Sequence, residues 1–302
     1  MRRCLAYSAM LPLLWLSLCS TALRAQEVSW LPDSLSNGSP CLFSVHLQGA
    51  NHVTGTWQGH PLTFFRTHDP ATWDVLAGID VAVKPGVYPL QIEATLADGT
   101  TRHTEQSIRI EEAPYPTTTL TVPEKFVAPS AASLKIIAAD RVLKEQAFAK
   151  TSPQPLWSGP FRPPLAIAPK TDSFGTRRTF NGTLASIHRG MDYRAKPLTP
   201  VKAVNAGRVI LAHKLYYEGN CVIIDHGQGL MTLYMHLSHF RVRQGDNVRQ
   251  GQLLGLSGAT GRVTGPHLHL GVRWQGAYLD ASKLFQMELP ATPTVQKAVP
   301  TP

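Results

Sequence analysis

The chain has 302 residues, 43% hydrophobic and 16% charged, a composition that excludes a disordered polymer and leaves room for two compact domains. Its formal charge of +9 is unevenly divided: residues 26–157 hold 9 basic and 13 acidic side chains, whereas residues 158–290 hold 16 basic and 7 acidic. The basic half favours anionic polymers such as cell-wall glycopolymers, but its charges are scattered without stacking aromatics between them, so nucleic acid is set aside as a partner.

Residues 1–25 read as a removable export signal. Arg2 and Arg3 lead, residues 5–18 are mostly apolar, and Ala22 and Ala25 end small-residue cleavage sequences. The apolar run is too short to span a bilayer and is broken by Ser8, Pro12 and Ser17. A retained signal anchor is the alternative, and bulky Leu18 before Cys19 argues against lipid attachment. No later segment has the character of a transmembrane span, so the mature chain is expected as an exported, soluble monomer, periplasmic or extracellular, with the periplasm favoured. Cys4 and Cys19 leave with the signal; Cys41 and Cys221 remain, far apart in sequence, and read as two buried thiols, with a bridge between them as the alternative.

Residues 26–112 alternate apolar and polar positions in short stretches, such as 41–47 and 87–96, separated by turn signals at Pro85-Gly86 and Asp98-Gly99. The second of these is expected as a two-residue hairpin turn. About seven short strands in this length predict an immunoglobulin-like β-sandwich with a spacer or docking role. Residues 113–169 read as a linker. Positions 114–129 are extended and rich in Pro and Thr, and 131–148 form a short linking helix capped by Ser130, with Leu134, Ile137 and Ala138 on one face. Positions 153–169 are Pro-rich and expected to wrap over a domain surface. Residues 170–286 form a second β unit, with strands at 201–204, 207–213, 221–225, 231–235, 252–256 and 268–274. No long helix separates them, which excludes a helix-crossed parallel sheet. Residues 287–302 read as a disordered tail.

Chemistry concentrates in that second unit. His188 and Asp192 lie four apart, with Gly190 between them arguing for a loop or strand end. Both are good zinc ligands, although a surface ion pair explains the pair equally well. His267 and His269 follow Gly265-Pro266 and open a strand, so alternation puts both rings on one face, about 6.5–7 Å apart. Leu268 and Leu270 anchor the opposite face. Two imidazoles on an otherwise apolar strand are costly unless used: one ring on a metal and the next on a substrate or water would use both. His236 ends another strand. His226 reads as structural, and His213 and His239 as surface residues.

Taken together, His188 and Asp192, Tyr234 with His236 and Leu237, and the run Thr260, Gly261, Thr264, Gly265, Pro266, His267, Leu268, His269 resemble the signature set of the M23 peptidases, the LytM/lysostaphin family. The resemblance spans residues 174–285 and includes 225–227 and the glycine-rich 242–251. It implies a LytM-type antiparallel β domain, related to lipoyl-carrier-like folds with a duplicated hybrid motif, so that the whole chain is mostly β. It also implies one Zn2+ held by His188, Asp192 and His269, with His236 and His267 as catalytic residues whose division of labour stays open. The implied activity is that of an exported zinc endopeptidase hydrolysing peptide bonds in the cross-links or stem peptides of bacterial peptidoglycan. The residues before 170 resemble, more loosely, an accessory domain that precedes some exported members. Some relatives have lost ligands and act as non-catalytic activators of wall amidases; that role, or a zinc peptidase acting on proteins, is the alternative, and all five side chains being present favours the enzyme. The loop 176–186, carrying Arg177, Arg178 and Asn181, is expected either to border the groove, with its arginines meeting substrate carboxylates, or to be a solvated hairpin; Tyr234 is a further candidate substrate contact.

Overall fold

Alternating burial builds the first unit. The computed structural model describes residues 28–120, 129–167, 169–180 and 184–292. The expected export signal and Asn181 lie outside the described residues. The strands are β1 (Val28–Leu31), β2 (Leu35–Ser36), β3 (Pro40–His46), β4 (Ala50–Trp57), β5 (His60–Thr63), β6 (Phe65–Arg66), β7 (Thr72–Gly78), β8 (Gly86–Leu96) and β9 (Thr101–Glu111). They form two sheets, ordered β1-β3-β7-β6 and β2-β9-β8-β4-β5. In β8, Leu90, Ile92, Ala94 and Leu96 are buried while alternate residues face outward. Phe43 and Trp57, one from each sheet, meet edge-on at 5.1 Å, and each buried side chain of this size contributes roughly 1.5–3 kcal/mol. The β8–β9 hairpin turns at Asp98 and Gly99, but its loop has three residues instead of the expected two. Leu96 N–H donates to Thr100 C=O at 2.8 Å, and Gly99 takes the left-handed φ of 83° that closes such a loop.

The stretch expected as linker is largely built into the structure. Strand β10 (Thr117–Leu120) and helix α1 (Ala131–Phe148) are followed by an irregular seam. Ser130 caps α1, accepting from Ser133 N–H at 3.2 Å. The helix docks through its last turns, where Leu143, Ala147 and Phe148 pack with Ile210, Leu215 and Ile223; Leu134, on the face expected to be apolar contact, stays 54% exposed. The Pro-rich seam does more than wrap a surface. Trp157 and Phe161 are fully buried, and Trp157 meets Phe65 of the first unit at 6.0 Å. At the other end, Met287, Leu289 and Thr292 are buried and Thr292 Oγ1 donates to Trp157 C=O at 2.6 Å, so the tail expected from 287 is still packed through 292.

The second unit contains β11 (Lys170–Asp172), β12 (Arg177–Phe180), β13 (Leu184–Ile187), β14 (Met191–Arg194), β15 (Pro200–Lys202), β16 (Gly207–Leu215) and β17 (Gly219–Asp225). It continues with β18 (Leu230–Phe240), β19 (Asn247–Val248), β20 (Leu253–Ser257), β21 (His267–Trp274), β22 (Ala277–Leu279) and the one-turn α2 (Ala281–Leu284). A ten-stranded sheet runs β11-β14-β21-β18-β17-β16-β19, with β15, β20 and β22 attached beside it. Its ladders are antiparallel, as short connections and the lack of crossover helices require. The fold is thus mostly β. A separate three-stranded sheet, β10-β12-β13, stands at one edge, with β10 parallel to β12. Cys41 and Cys221 are both buried and free, each in its own unit, and burial raises both thiols above their ordinary pKa.

Candidate metal centre

Register places the central residues. In the antiparallel β14–β21 ladder Asp192 is the partner of His269, and in β18–β21 Met235 is the partner of His269. Side chains from three adjacent strands therefore meet on one face, while Leu268 and Leu270 are fully buried on the other. His188 lies just before β14 and is tied by its backbone: its N–H donates to Thr176 C=O, and Gly175 N–H donates to its own carbonyl, both at 2.9 Å.

The His188 ring donates from Nδ1 to Ser173 C=O at 3.0 Å, which turns Nε2 toward the cluster. There His188 Nε2 lies 3.3 Å from Asp192 Oδ1 and 3.2 Å from His269 Nδ1, and His269 Nδ1 lies 2.8 Å from Asp192 Oδ1. Two imidazole nitrogens and one carboxylate oxygen thus converge on one point. The donor set fits zinc: four ligands at 2.0–2.2 Å in a tetrahedron stand about 3.3 Å apart, and three protein ligands leave one vertex open. Burial alone would raise the Asp192 carboxyl, but hydrogen bonds and charge from His188 and His269 outweigh it and hold the group ionised well below the usual range. Burial pushes the His269 imidazole down, against the pull of Asp192, and so favours the neutral ring that ligation needs. Gly190 makes the approach possible, since a Cβ there would fall 2.2 Å from His269 Nε2.

His236 and His267 flank this cluster, their rings 4.8 Å apart, and His267 Nε2 is 3.8 Å from Asp192 Oδ1. Each ring is oriented by a backbone carbonyl accepting from Nδ1, Thr260 for His236 and Gly265 for His267, both at 2.9 Å. Both therefore offer Nε2 as the free nitrogen. Burial pushes His236 down to about 4, with the nearby imidazoles adding to the shift. The backbone at His236 is strained: the β17–β18 register shifts between Asn220 and Val222, and His236 takes φ 63°. That bulge breaks the alternation of β18 and aims the ring at the cluster.

The remaining expected site residues fall differently. Tyr234 is fully buried, its hydroxyl accepting from Val204 N–H at 2.9 Å, so it is a core residue and not a substrate contact; one step before the bulge, it points to the opposite face of β18. Arg177 is exposed and its N–H donates to the C=O of Pro116, just before β10. Arg178 does not stand free for substrate: its guanidinium turns inward to Asp172 and toward Asp192. His226 is buried between Phe161, Ala206 C=O and Thr232, whereas His213 and His239 are exposed. Sequence reading missed Asp172, which carries no motif of its own, and the pair of Tyr217 with Arg262, whose guanidinium lies 4.2 Å from the ring centre. Arg262 N–H donates to Tyr217 C=O in the loop that also supplies Thr260 to His236.

Fold and cluster place the second unit in a class that comparison with known proteins names. Residues 186–281 match the sequence profile described as Peptidase family M23, so this stretch of the chain is an M23 domain. It is similar to the peptidoglycan DD-endopeptidase ShyA of Vibrio cholerae serotype O1, 45% identical over 96 residues, covering 32% of this chain and 22% of that protein. It is also similar to the DD-carboxypeptidase/endopeptidase Mpg of Neisseria meningitidis serogroup B, 47% identical over 90 residues, covering 30% of this chain and 21% of that protein. The match thus spans about a fifth of the length of these curated relatives. Among solved structures, a peptidase M23 from Pseudomonas aeruginosa is 28% identical with a TM-score of 0.61, covering 83% of this chain and 96% of that one.

Proposed function

We propose that this chain is a zinc-dependent endopeptidase that hydrolyses peptide bonds in the cross-links or stem peptides of bacterial peptidoglycan. The observation that carries this reading is the convergence of His188 Nε2, Asp192 Oδ1 and His269 Nδ1 within hydrogen-bond distance of one another, beside two imidazoles whose Nε2 atoms are free. The M23 domain and the names of the relatives support peptidoglycan as the substrate. The leader-like residues 1–25 and the basic second half support action outside the cytoplasm on an anionic wall. Among the described residues no helix is long and apolar enough to cross a membrane.

Zinc, when bound, supplies Lewis acidity toward a carbonyl oxygen and brings the pKa of water down to about 7. His188, Asp192 and His269 would hold it, each in its ligating form: both rings with a lone pair inward, the carboxylate ionised. His236 and His267 handle protons. With its Nδ1 hydrogen fixed on a backbone carbonyl, each ring can accept at Nε2 a proton from the water whose oxygen bonds to the scissile carbonyl carbon, and burial favours the neutral form of His236 that this requires. Returning that proton to the departing amine completes the cleavage.

The test is digestion of purified peptidoglycan by the full chain, with and without chelator, followed by mass spectrometry. New peptide ends that vanish with chelator and return with zinc are the expected outcome. An untouched wall beside cleaved protein substrate would replace the substrate assignment. His267→Ala is expected to keep its zinc while hydrolysis falls by about 10²–10⁴-fold; wild-type turnover by this variant would remove His267 from the proton-transfer role.

A further inference from the structure

We infer that Asp172 and Arg178 form a bracket that positions two of the three metal ligands from behind, a role that rests on the zinc reading above. The atoms of the cluster divide cleanly into front and back. Asp192 Oδ1 faces His188 Nε2, His269 Nδ1 and His267 Nε2 at 3.3, 2.8 and 3.8 Å. Asp192 Oδ2 lies 3.5 Å from the Arg178 guanidinium. One oxygen is thus left for a metal and the other is held by a cation, which makes Asp192 a one-oxygen ligand of fixed orientation.

The same guanidinium hydrogen-bonds Asp172 Oδ2, and that oxygen lies 3.7 Å from His188 Nδ1, the nitrogen turned away from the cluster. Asp172 is itself fixed through Oδ1, which accepts from Ser173 N–H at 2.8 Å and from Thr176 Oγ1 at 3.0 Å. Its strand is paired with the ligand's strand, Asp172 being the register partner of Asp192 across β11–β14. Ser173 C=O, next to Asp172, takes the His188 Nδ1 hydrogen. A carboxylate behind the imidazole and a cation behind the carboxylate ligand lock ring tautomer and rotamer in the way outer partners of metal ligands do. The Arg178 Nε is buried and unpartnered, so the side chain is placed for its Nη2 contacts and not for full hydrogen bonding. All three charged groups are largely shielded, with side chains 27%, 20% and 15% exposed for Asp172, Arg178 and Asp192.

Zinc affinity of the full chain, read by competition with a chromophoric chelator, tests the bracket. Plain electrostatics gives the two residues opposite signs: removing a cation near the site would strengthen zinc binding, and removing an anion would weaken it. The bracket makes both weaken. Asp172→Asn and Arg178→Ala are each expected to lose zinc affinity by about 10–100-fold and to shift the visible bands of the cobalt-substituted protein. Arg178→Lys should recover part of the loss, because one nitrogen, Nη2, makes both carboxylate contacts and an ammonium restores the charge but not the reach of the guanidinium. Lys170→Ala, an exposed change on the same strand as Asp172, should bind like the parent. The thermal midpoint of each metal-free variant separates misfolding from mispositioning, and near-isosteric Asp172→Asn retains the test if Arg178→Ala does not fold. Wild-type affinity and an unaltered cobalt spectrum in both variants, or tighter binding by Arg178→Ala, overturns the bracket. A parent chain that takes up no zinc overturns the zinc reading and the bracket with it, and is distinguished by failing before any substitution is made.

Discussion

Gly190 and His226 show how single residues hold the site and its floor. A Cβ at Gly190 would fall 2.2 Å from His269 Nε2 and 2.8 Å from Leu270 C=O, closer than packed atoms approach, so something must shift. Gly190→Ala is therefore expected to push His269 off Asp192 and weaken zinc binding by at least about tenfold, measured by the same chelator competition. His226 works through burial. Its Nδ1 donates to Ala206 C=O and its Nε2 lies 2.7 Å from Thr232 Oγ1, and burial pushes its pKa down from 6.5 to about 4. Because the folded pKa is below the unfolded one, the unfolded chain takes up a proton first as pH falls. The stability from keeping this ring neutral is fully present above about pH 6.5 and is lost down to about pH 4, at up to about 1.4 kcal/mol per pH unit. His226→Gln should be less stable at neutral pH and show a shallower fall across that window in denaturant titrations; an unchanged slope would mean the ring is not the group that titrates. The five side chains of the cluster were legible because their chemistry is rare and their spacing fixed. Asp172 was not, since one carboxylate upstream of a glycine turn carries no signal until the β11–β14 register sets it beside Asp192.

Strands were readable wherever burial alternated, and misleading where the chain broke that rhythm. Period two on β18 puts Tyr234 in the core and predicts the same face for His236, yet the bulge and the left-handed backbone at His236 send its ring to the cluster instead. Nothing in the residue types between Tyr234 and Leu237 announces that extra residue. Tyr234→Phe separates the two readings of this tyrosine. It strands the buried Val204 N–H and should cost about 1–3 kcal/mol in urea unfolding, while hydrolysis per folded molecule stays near wild type. A large loss of turnover with unchanged stability would return Tyr234 to the substrate groove. Helix α1 was legible in extent through its cap and composition, but its buried face was not: packing is decided by Leu143, Ala147 and Phe148 against β16, beyond what a weakly amphipathic helix discloses. The seam shows the same limit. Its prolines suggest an extended surface path, and Trp157 and Phe161 are what hold it inside.

At the scale of the whole molecule the two units share one core, and polar contacts stitch the join. Gln228, only 8% exposed, accepts from Leu76 N–H at 3.3 Å and donates to Thr63 C=O at 3.0 Å. Tyr278 N–H donates to Asp80 at 2.7 Å, and Asp280 N–H donates to Gly38 C=O at 2.8 Å. Gly78 leaves the space that Leu279 fills, and Trp274 meets His60 edge-on at 5.2 Å. Sequence reading divided the chain into two β-rich stretches but had no way to see this seam, because it is made of residues that each look ordinary in their own strand. A join of buried apolar groups and satisfied buried polar ones couples the stability of both halves. The chain should therefore unfold in one calorimetric transition, with calorimetric and van't Hoff enthalpies in agreement. Gln228→Ala leaves buried backbone groups without their partner, at about 1–3 kcal/mol for each, and should lower the midpoint by roughly 2–4 °C per kcal/mol for a chain of this size. The single transition should persist, because the apolar contacts across the seam remain. Two separate transitions in the parent, or an unshifted midpoint in the variant, would show that the first unit rides on the M23 domain without stabilising it.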